Sequence, residues 1–232
     1  MEFPETTWGV VRAASDGRAR SRESLEKLCR RYWEPIASFA RYAWASPGED
    51  PNDLAQDFFV WLMEGDVLAK YLPEKGSFRG FMKGLLRNFA RNRNLAARRQ
   101  KRGGGKRARS LDDSAGTGEA IADTRAKDPE EEFDRAWRDA VTRRAVERVK
   151  SRCAETALHA KQWAAFEEYE LATGERPTYA EIAAKLGAKE SDVRNWLFAV
   201  RERMRVAVRA ELADTVTTSA DLEEEWQAFV SS

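Results

Sequence analysis

The chain has 232 residues, with 40 Lys+Arg against 39 Asp+Glu, one His and two Cys, for a formal net charge of +1. A hydrophobic fraction of 42% is enough for a core, the mean hydropathy of −0.67 is that of a soluble, charge-rich chain, and no apolar run nears the roughly 18 residues of a membrane span. Two cysteines exclude a disulfide framework or Cys-rich zinc site, a lone His159 argues against a His metal site or catalytic triad, and MEFPETTWGV lacks a secretory start; a cytoplasmic, non-catalytic protein without metal or cofactor is expected.

Helical periodicity runs through the chain, and no alternating strand pattern stands out. The first helix is predicted from Ser24 to Trp44, where Leu25, Leu28, Cys29, Tyr32, Trp33, Ile36, Phe39 and Ala43 recur at three- and four-residue steps. Asp50 before Pro51 is a capping acid followed by proline at the first helical position. The helix it opens extends to about Glu64, with Leu54, Phe58, Trp61 and Leu62 inward. After the loop YLPEKGS, a third helix is predicted over Phe78–Arg99. Phe78, Phe81, Leu85 and Phe89 mark its apolar face, and Arg79, Lys83, Arg87 and Arg91 form a basic ridge beside it.

Residues 103–128 are rich in Gly, Ser, Asp and Arg without periodicity, as a linker between two domains would be. Asp128-Pro129 repeats the cap-proline signature and opens a helix whose buried face is Phe133, Trp137, Val141, Ala145, Val149 and Cys153. A further helix near 154–172 is expected to bury Leu158, Phe166 and Tyr169. Thr178 and Glu181 then have capping-box spacing, with Ile182, Ala183 and Leu186 inward. Gly187 turns the chain into a longer helix with the seam Val193, Leu197, Val200 and Met204. That is helix-turn-helix grammar, although an ordinary helical hairpin has the same pattern. Lys189 departs from it, because Ser or Thr would cap better.

The near-zero net charge hides blocks of opposite sign. From Glu74 to Arg109 there are 13 basic residues and one acidic, from Ser110 to Asp139 there are 4 basic and 10 acidic, and Asp214–Ser232 has 5 acidic and none basic. A block carrying +12 is an electrostatic footprint for phosphates. Within it, Phe89 reads as core, while Phe78 and Phe81 have two readings: core, or a platform for an unpaired base beside the loop. In the last helical pair, Ser191, Asp192, Arg194 and Asn195 sit where side chains would reach base edges, and Arg201, Arg205 and Arg209 would suit phosphates. Asp53 and Asp57 share a helix face, without a convergent third carboxylate to hold a metal. That face reads as solvated or protein-binding.

The segments LEKLCRRYWEPIASFARY, PNDLAQDFFVWLME, KGSFRGFMKGLLRNFARNRNLAARRQKRGGG, DPEEEFDRAW and TYAEIAAKLG together resemble an extracytoplasmic-function sigma factor of the sigma-70 family. The resemblance covers most of the chain. It implies an all-α protein of two small helical domains on a flexible linker. Residues 1–104 would dock core polymerase and recognise and melt the minus-ten element, and 105–128 would be an acidic linker. Residues 129–213 would carry the helix-turn-helix for the minus-thirty-five element, and 214–232 an acidic tail with a short amphipathic helix.

By the same resemblance, Asp53, Gln56, Asp57 and Phe58 would contact polymerase, and Phe78, Arg79, Phe81, Lys83, Arg87, Asn88, Arg91 and Asn92 the minus-ten strand. Ser191, Asp192, Arg194, Asn195, Arg201 and Arg205 would serve the recognition helix. The partners implied are core RNA polymerase and promoter DNA, with an anti-sigma or other regulatory protein as a further candidate and no membrane insertion. Trp196 and Phe198 put unusual bulk on the recognition helix, so its DNA face is open to a shift. The alternative to an initiation factor is a stand-alone helix-turn-helix regulator; a nucleic-acid-processing enzyme using the acidic helix with magnesium is a third reading, disfavoured by the lack of convergent carboxylates.

Overall fold

The computed structural model describes residues 19–43, 50–65, 67–101, 128–216 and 218–231. Among these there are eight α-helices and no strands. The expected linker lies, apart from Asp128, outside the described residues. By its contacts the chain divides into two compact units, one closing at Arg138 and the other beginning at Asp139. The division falls inside a continuous helix, later than the expected start of a second domain at Pro129.

The first unit is built from α1 (Ala19–Ala43), α2 (Pro51–Glu64), α3 (Phe78–Lys101) and the opening ten residues of α4 (Pro129–Cys153). α1 begins five residues earlier than its apolar stripe suggests, at Ala19 rather than Ser24. It carries Pro35 in its interior, a residue that removes one backbone donor from the helix ladder. α2 starts where the sequence places it, because the Asp50 carboxylate accepts the Asn52 N–H at 2.8 Å and Pro51 takes the first helical position. Its face is wider than the predicted one: Leu54, Ala55, Phe58, Phe59 and Leu62 are all buried. Phe59 stacks on Trp33 of α1 with ring centres 5.7 Å apart.

The loop before α3 is pinned at two points. Tyr71 is buried and its hydroxyl donates to the Gly76 carbonyl at 3.2 Å. Ser77 then caps α3, its Oγ accepting the Gly80 N–H at 3.1 Å. The buried row of α3 is Phe78, Met82, Leu86 and Ala90, whereas Phe81, Leu85 and Phe89 lie half-buried to one side. The apolar face is thus centred one row away from the expected seam. That places the core row directly between the aromatics and the basic ridge. Tyr32 of α1 joins the unit together, with Phe78 edge-on at 5.6 Å and Phe133 of α4 stacked at 6.4 Å.

The second unit contains the rest of α4, then α5 (Ala157–Glu170), α6 (Tyr179–Leu186), α7 (Glu190–Ala213) and α8 (Ser219–Val230). Val141, Ala145, Val149 and Cys153 are buried along α4, as their spacing predicts. Leu158 is a correction: it is 55% exposed. Thr156 caps α5 through the His159 N–H at 3.2 Å, so Leu158 falls in the first turn and points away. The inward face is instead Gln162, Trp163, Ala165 and Phe166, and Tyr169 is only half-buried. Val193, Leu197 and Val200 of α7 and Ile182 of α6 are fully enclosed. Glu211, 2% exposed, is held by Arg144 at 2.8 Å and Arg148 at 2.5 Å, two cations one turn apart on α4. A buried carboxylate persists in such a place only with partners of this kind.

Candidate nucleic-acid interface

Three surfaces carry the residues singled out from the sequence. On α2, Asp53, Gln56 and Asp57 are exposed and share one face. Asp57 is in ion-pair contact with Arg93 of α3. Phe58 is a correction: only 1% exposed, it packs edge-on against Phe89 at 5.4 Å and against Trp61 at 5.6 Å. A side chain so enclosed supports the α2 face from behind and cannot itself contact a partner.

The second surface is the basic ridge of α3. Phe78 resolves to its core reading, 1% exposed between Tyr32 and Tyr71. It is not a platform for a base. Phe81 is half-buried at 5.3 Å from the Tyr71 ring, so one of the two aromatics keeps an exposed part beside the loop. Asn88, Arg91 and Asn92 are exposed.

Three of the ridge cations, Arg79, Lys83 and Arg87, are engaged by carboxylates of α4. Arg79 meets Asp134 Oδ1 at 2.7 Å, Lys83 meets Asp134 Oδ2 at 2.8 Å, and Arg87 is paired with Glu130. The Arg79 guanidinium also lies over the Trp137 ring at 4.5 Å, a favourable cation–π placement. Spacing explains the fit: 79, 83 and 87 rise by one helical turn each, as do 130 and 134 on the facing helix.

The third surface is the α6–turn–α7 segment. Thr178 and Glu181 form a reciprocal capping box, with the Thr178 N–H donating to Glu181 Oε2 at 2.8 Å and the Glu181 N–H to Thr178 Oγ1 at 3.3 Å. The Thr178 N–H and then its hydroxyl hold the Glu181 carboxyl below the usual glutamate range. α6 ends at Gly187 with φ 61°, a left-handed position that suits glycine. The Ala188 N–H closes the turn on the Ala183 carbonyl at 2.9 Å. α7 then begins with half of a box. Lys189 has no acceptor to offer, but its N–H donates to Asp192 Oδ2 at 3.0 Å. Asp192 is thereby committed to capping and is half-buried, which removes it from the outward-facing set.

Ser191, Arg194 and Asn195 remain exposed at the front of α7. Behind them Trp196 is half-buried and Phe198 is 64% exposed. The arginine row further along is paired with carboxylates. Arg201 donates to Glu170 at 2.5 Å, which strengthens its hold on its proton. Arg205 contacts Glu202 at 3.2 Å. Arg209 meets Glu223 of α8 at 2.8 Å and lies over the Trp226 ring at 5.2 Å. α8 itself starts from a second capping box, Thr218 with Asp221, and lies against α7.

The residues that sequence reasoning overlooked are therefore mostly acidic: Glu130, Asp134, Glu170 and Glu223. For Glu130 and Asp134 the signal was a four-residue spacing matched to that of the basic row; Glu170 and Glu223 carry no such spacing. Among the described residues no group of three or more His, Cys, Asp and Glu could hold a metal ion, and no helix is long and apolar enough to cross a membrane. Comparison with known protein families, with curated proteins and with solved structures finds no match for this chain.

Proposed function

We propose that the chain is a transcription initiation factor of the sigma type, which binds core RNA polymerase and directs it to promoter DNA. The observation that carries this reading is the front of α7. A capped short helix, a left-handed glycine turn and a second helix leave Ser191, Arg194 and Asn195 projecting from the first turns of α7. In a helix-turn-helix those positions enter the major groove, where an Arg can take a guanine edge and an Asn an adenine edge. In this reading the exposed carboxylates and amide of Asp53, Gln56 and Asp57 contact polymerase. Arg91, Asn88 and Asn92, with the edge of Phe81, meet the minus-ten strand. Two weak DNA contacts held on one polymerase reinforce each other through effective concentration.

The test is run-off transcription with bacterial core polymerase and a promoter selected from a random pool. The purified chain is expected to program initiation at a defined start, and Asp53→Asn with Gln56→Ala to weaken core binding. A chain that is folded yet never retained on core polymerase overturns the reading. One observation favours a stand-alone regulator instead: Arg79, Lys83 and Arg87 are already engaged by carboxylates, leaving α7 as the open surface. That reading expects sequence-specific duplex binding without polymerase and no effect of Asp53→Asn.

A further inference from the structure

The contacts between α3 and the start of α4 have the form of a competitor already in place. Asp134 divides its two oxygens between Arg79 and Lys83, at 2.7 and 2.8 Å. Glu130, one turn earlier, takes Arg87 and comes within 4.0 Å of Lys83. Oxygens of a nucleic-acid backbone would approach the same guanidinium and ammonium donors with similar charge-assisted geometry. For the N–H groups that Asp134 and Glu130 already occupy, the two sets compete.

The contact also runs from a closed end to an open one. The side chain of Arg79 is 15% exposed and that of Arg87 is 64% exposed. Phe133 and Trp137 anchor the α4 backbone in the core, fully buried at 0 and 2%. The carboxylates can therefore swing away by side-chain rotation while that backbone stays packed. An exchange starting at Arg87 and Glu130 needs no unfolding.

We infer that Glu130 and Asp134 are an internal phosphate mimic, occupying the basic ridge of α3 so that a single nucleic-acid strand binds there only by displacing them. The inference rests on the reading of α3 as a strand-binding helix and deepens it. It assigns to α4 the regulation of that surface: strand binding in the free protein is suppressed. A partner that holds a strand close supplies the local concentration that wins the exchange. The occupant that fits is a polyanion with repeated single charges, the backbone of unpaired DNA.

The experiment uses the full chain and a fluorescently labelled mixed-sequence DNA strand of about 20 nucleotides, titrated across salt without polymerase. Each phosphate contact on a single strand contributes about −0.7 to the slope of log K against log salt. Glu130→Gln with Asp134→Asn is expected to bind about tenfold tighter at low salt, with a slope steeper by about 1.4, the value for Lys83 and Arg87 at about 0.7 each. Lys83→Gln with Arg87→Gln in that background should remove most of the gain.

Glu131→Gln, an exposed one-charge change on the same helix, is the net-charge control for Glu130→Gln and should shift binding by less than about twofold. If Asp134→Asn weakens the fold, Glu130→Gln alone, at the exposed end, should still steepen the slope by about 0.7. Unchanged affinity and slope in folded variants overturn the mimic, as does a gain that Glu131→Gln reproduces. Core-polymerase capture is scored separately. Capture without a gain in strand binding discards the mimic and keeps the initiation-factor reading, whereas a gain without capture does the reverse.

Discussion

The two units treat their basic residues differently. In the first, the cations of α3 flank the buried row Phe78, Met82, Leu86 and Ala90, and the opening turns of α4 bring carboxylates onto three of them. In the second, Arg194 and Asn195 are exposed at the front of α7, just past the buried Val193. Among the described residues no carboxylate pairs with Arg194, although Arg201 and Arg209 further along the same helix are paired. The difference teaches that charge alone does not make a surface available. A basic residue beside a core seam is taken up only where a neighbouring helix sets carboxylates opposite it.

Trp137→Ala strikes hardest at the closed ridge. It removes a large side chain 2% exposed together with the ring under Arg79, and should cost about 3–5 kcal/mol in urea unfolding. A loss under about 1 kcal/mol would show that the ridge closes without this anchor. Arg194→Ala addresses the open surface. It is expected to remove about 1–3 kcal/mol of preference for a selected duplex over a scrambled one, with stability changed by less than about 0.5 kcal/mol. Equal weakening on both duplexes would reassign Arg194 to phosphate contact.

Smaller effects sharpen how the open surface is presented. Thr178→Ala removes the cap of α6 and should cost about 1 kcal/mol by thermal or urea unfolding; an unchanged midpoint would mean that the turn alone sets α6. The Glu181 carboxyl is held low by the Thr178 N–H and hydroxyl. A lowered value in the folded state stabilises at pH above the ordinary glutamate range, and the contribution is lost as pH falls through that lowered value. Wild type should therefore exceed Glu181→Gln in stability at neutral pH, with the gap closing in acid. A gap that persists at low pH would assign the effect to something other than this ionisation.

Much of the helical order was legible because caps leave strong local signatures. Asp50-Pro51, Asp128-Pro129 and Thr178 with Glu181 each mark a helix start that the structure reproduces to the residue. Face assignment was less legible. On α3, four-residue steps give equally regular rows at 78, 81 and 79, and only tertiary packing decides that Phe78, Met82 and Leu86 form the centre. Phe58 and Phe78 are enclosed for the same reason: an aromatic beside functional polar residues is as well suited to holding a helix in place as to touching a ligand. The carboxylate partners of the ridge were illegible in a different sense. Glu130 and Asp134 lie more than forty positions from their cations, and no local rule pairs residues so distant. The sequence alone could have suggested the match only by comparing the two helical spacings.

The two cysteines give each unit a chemical reporter of its own. Cys29 lies half-buried on α1, and burial pushes its thiol up in pKa, which slows its reaction. Cys153 is 1% exposed at the end of α4, where Arg203 donates toward its sulfur at 3.5 Å. An alkylating reagent should therefore modify Cys29 first and reach Cys153 only when the unit beginning at Asp139 opens. Mass spectrometry of the two tryptic peptides then reads the breathing of each unit separately, in the native chain and without any substitution.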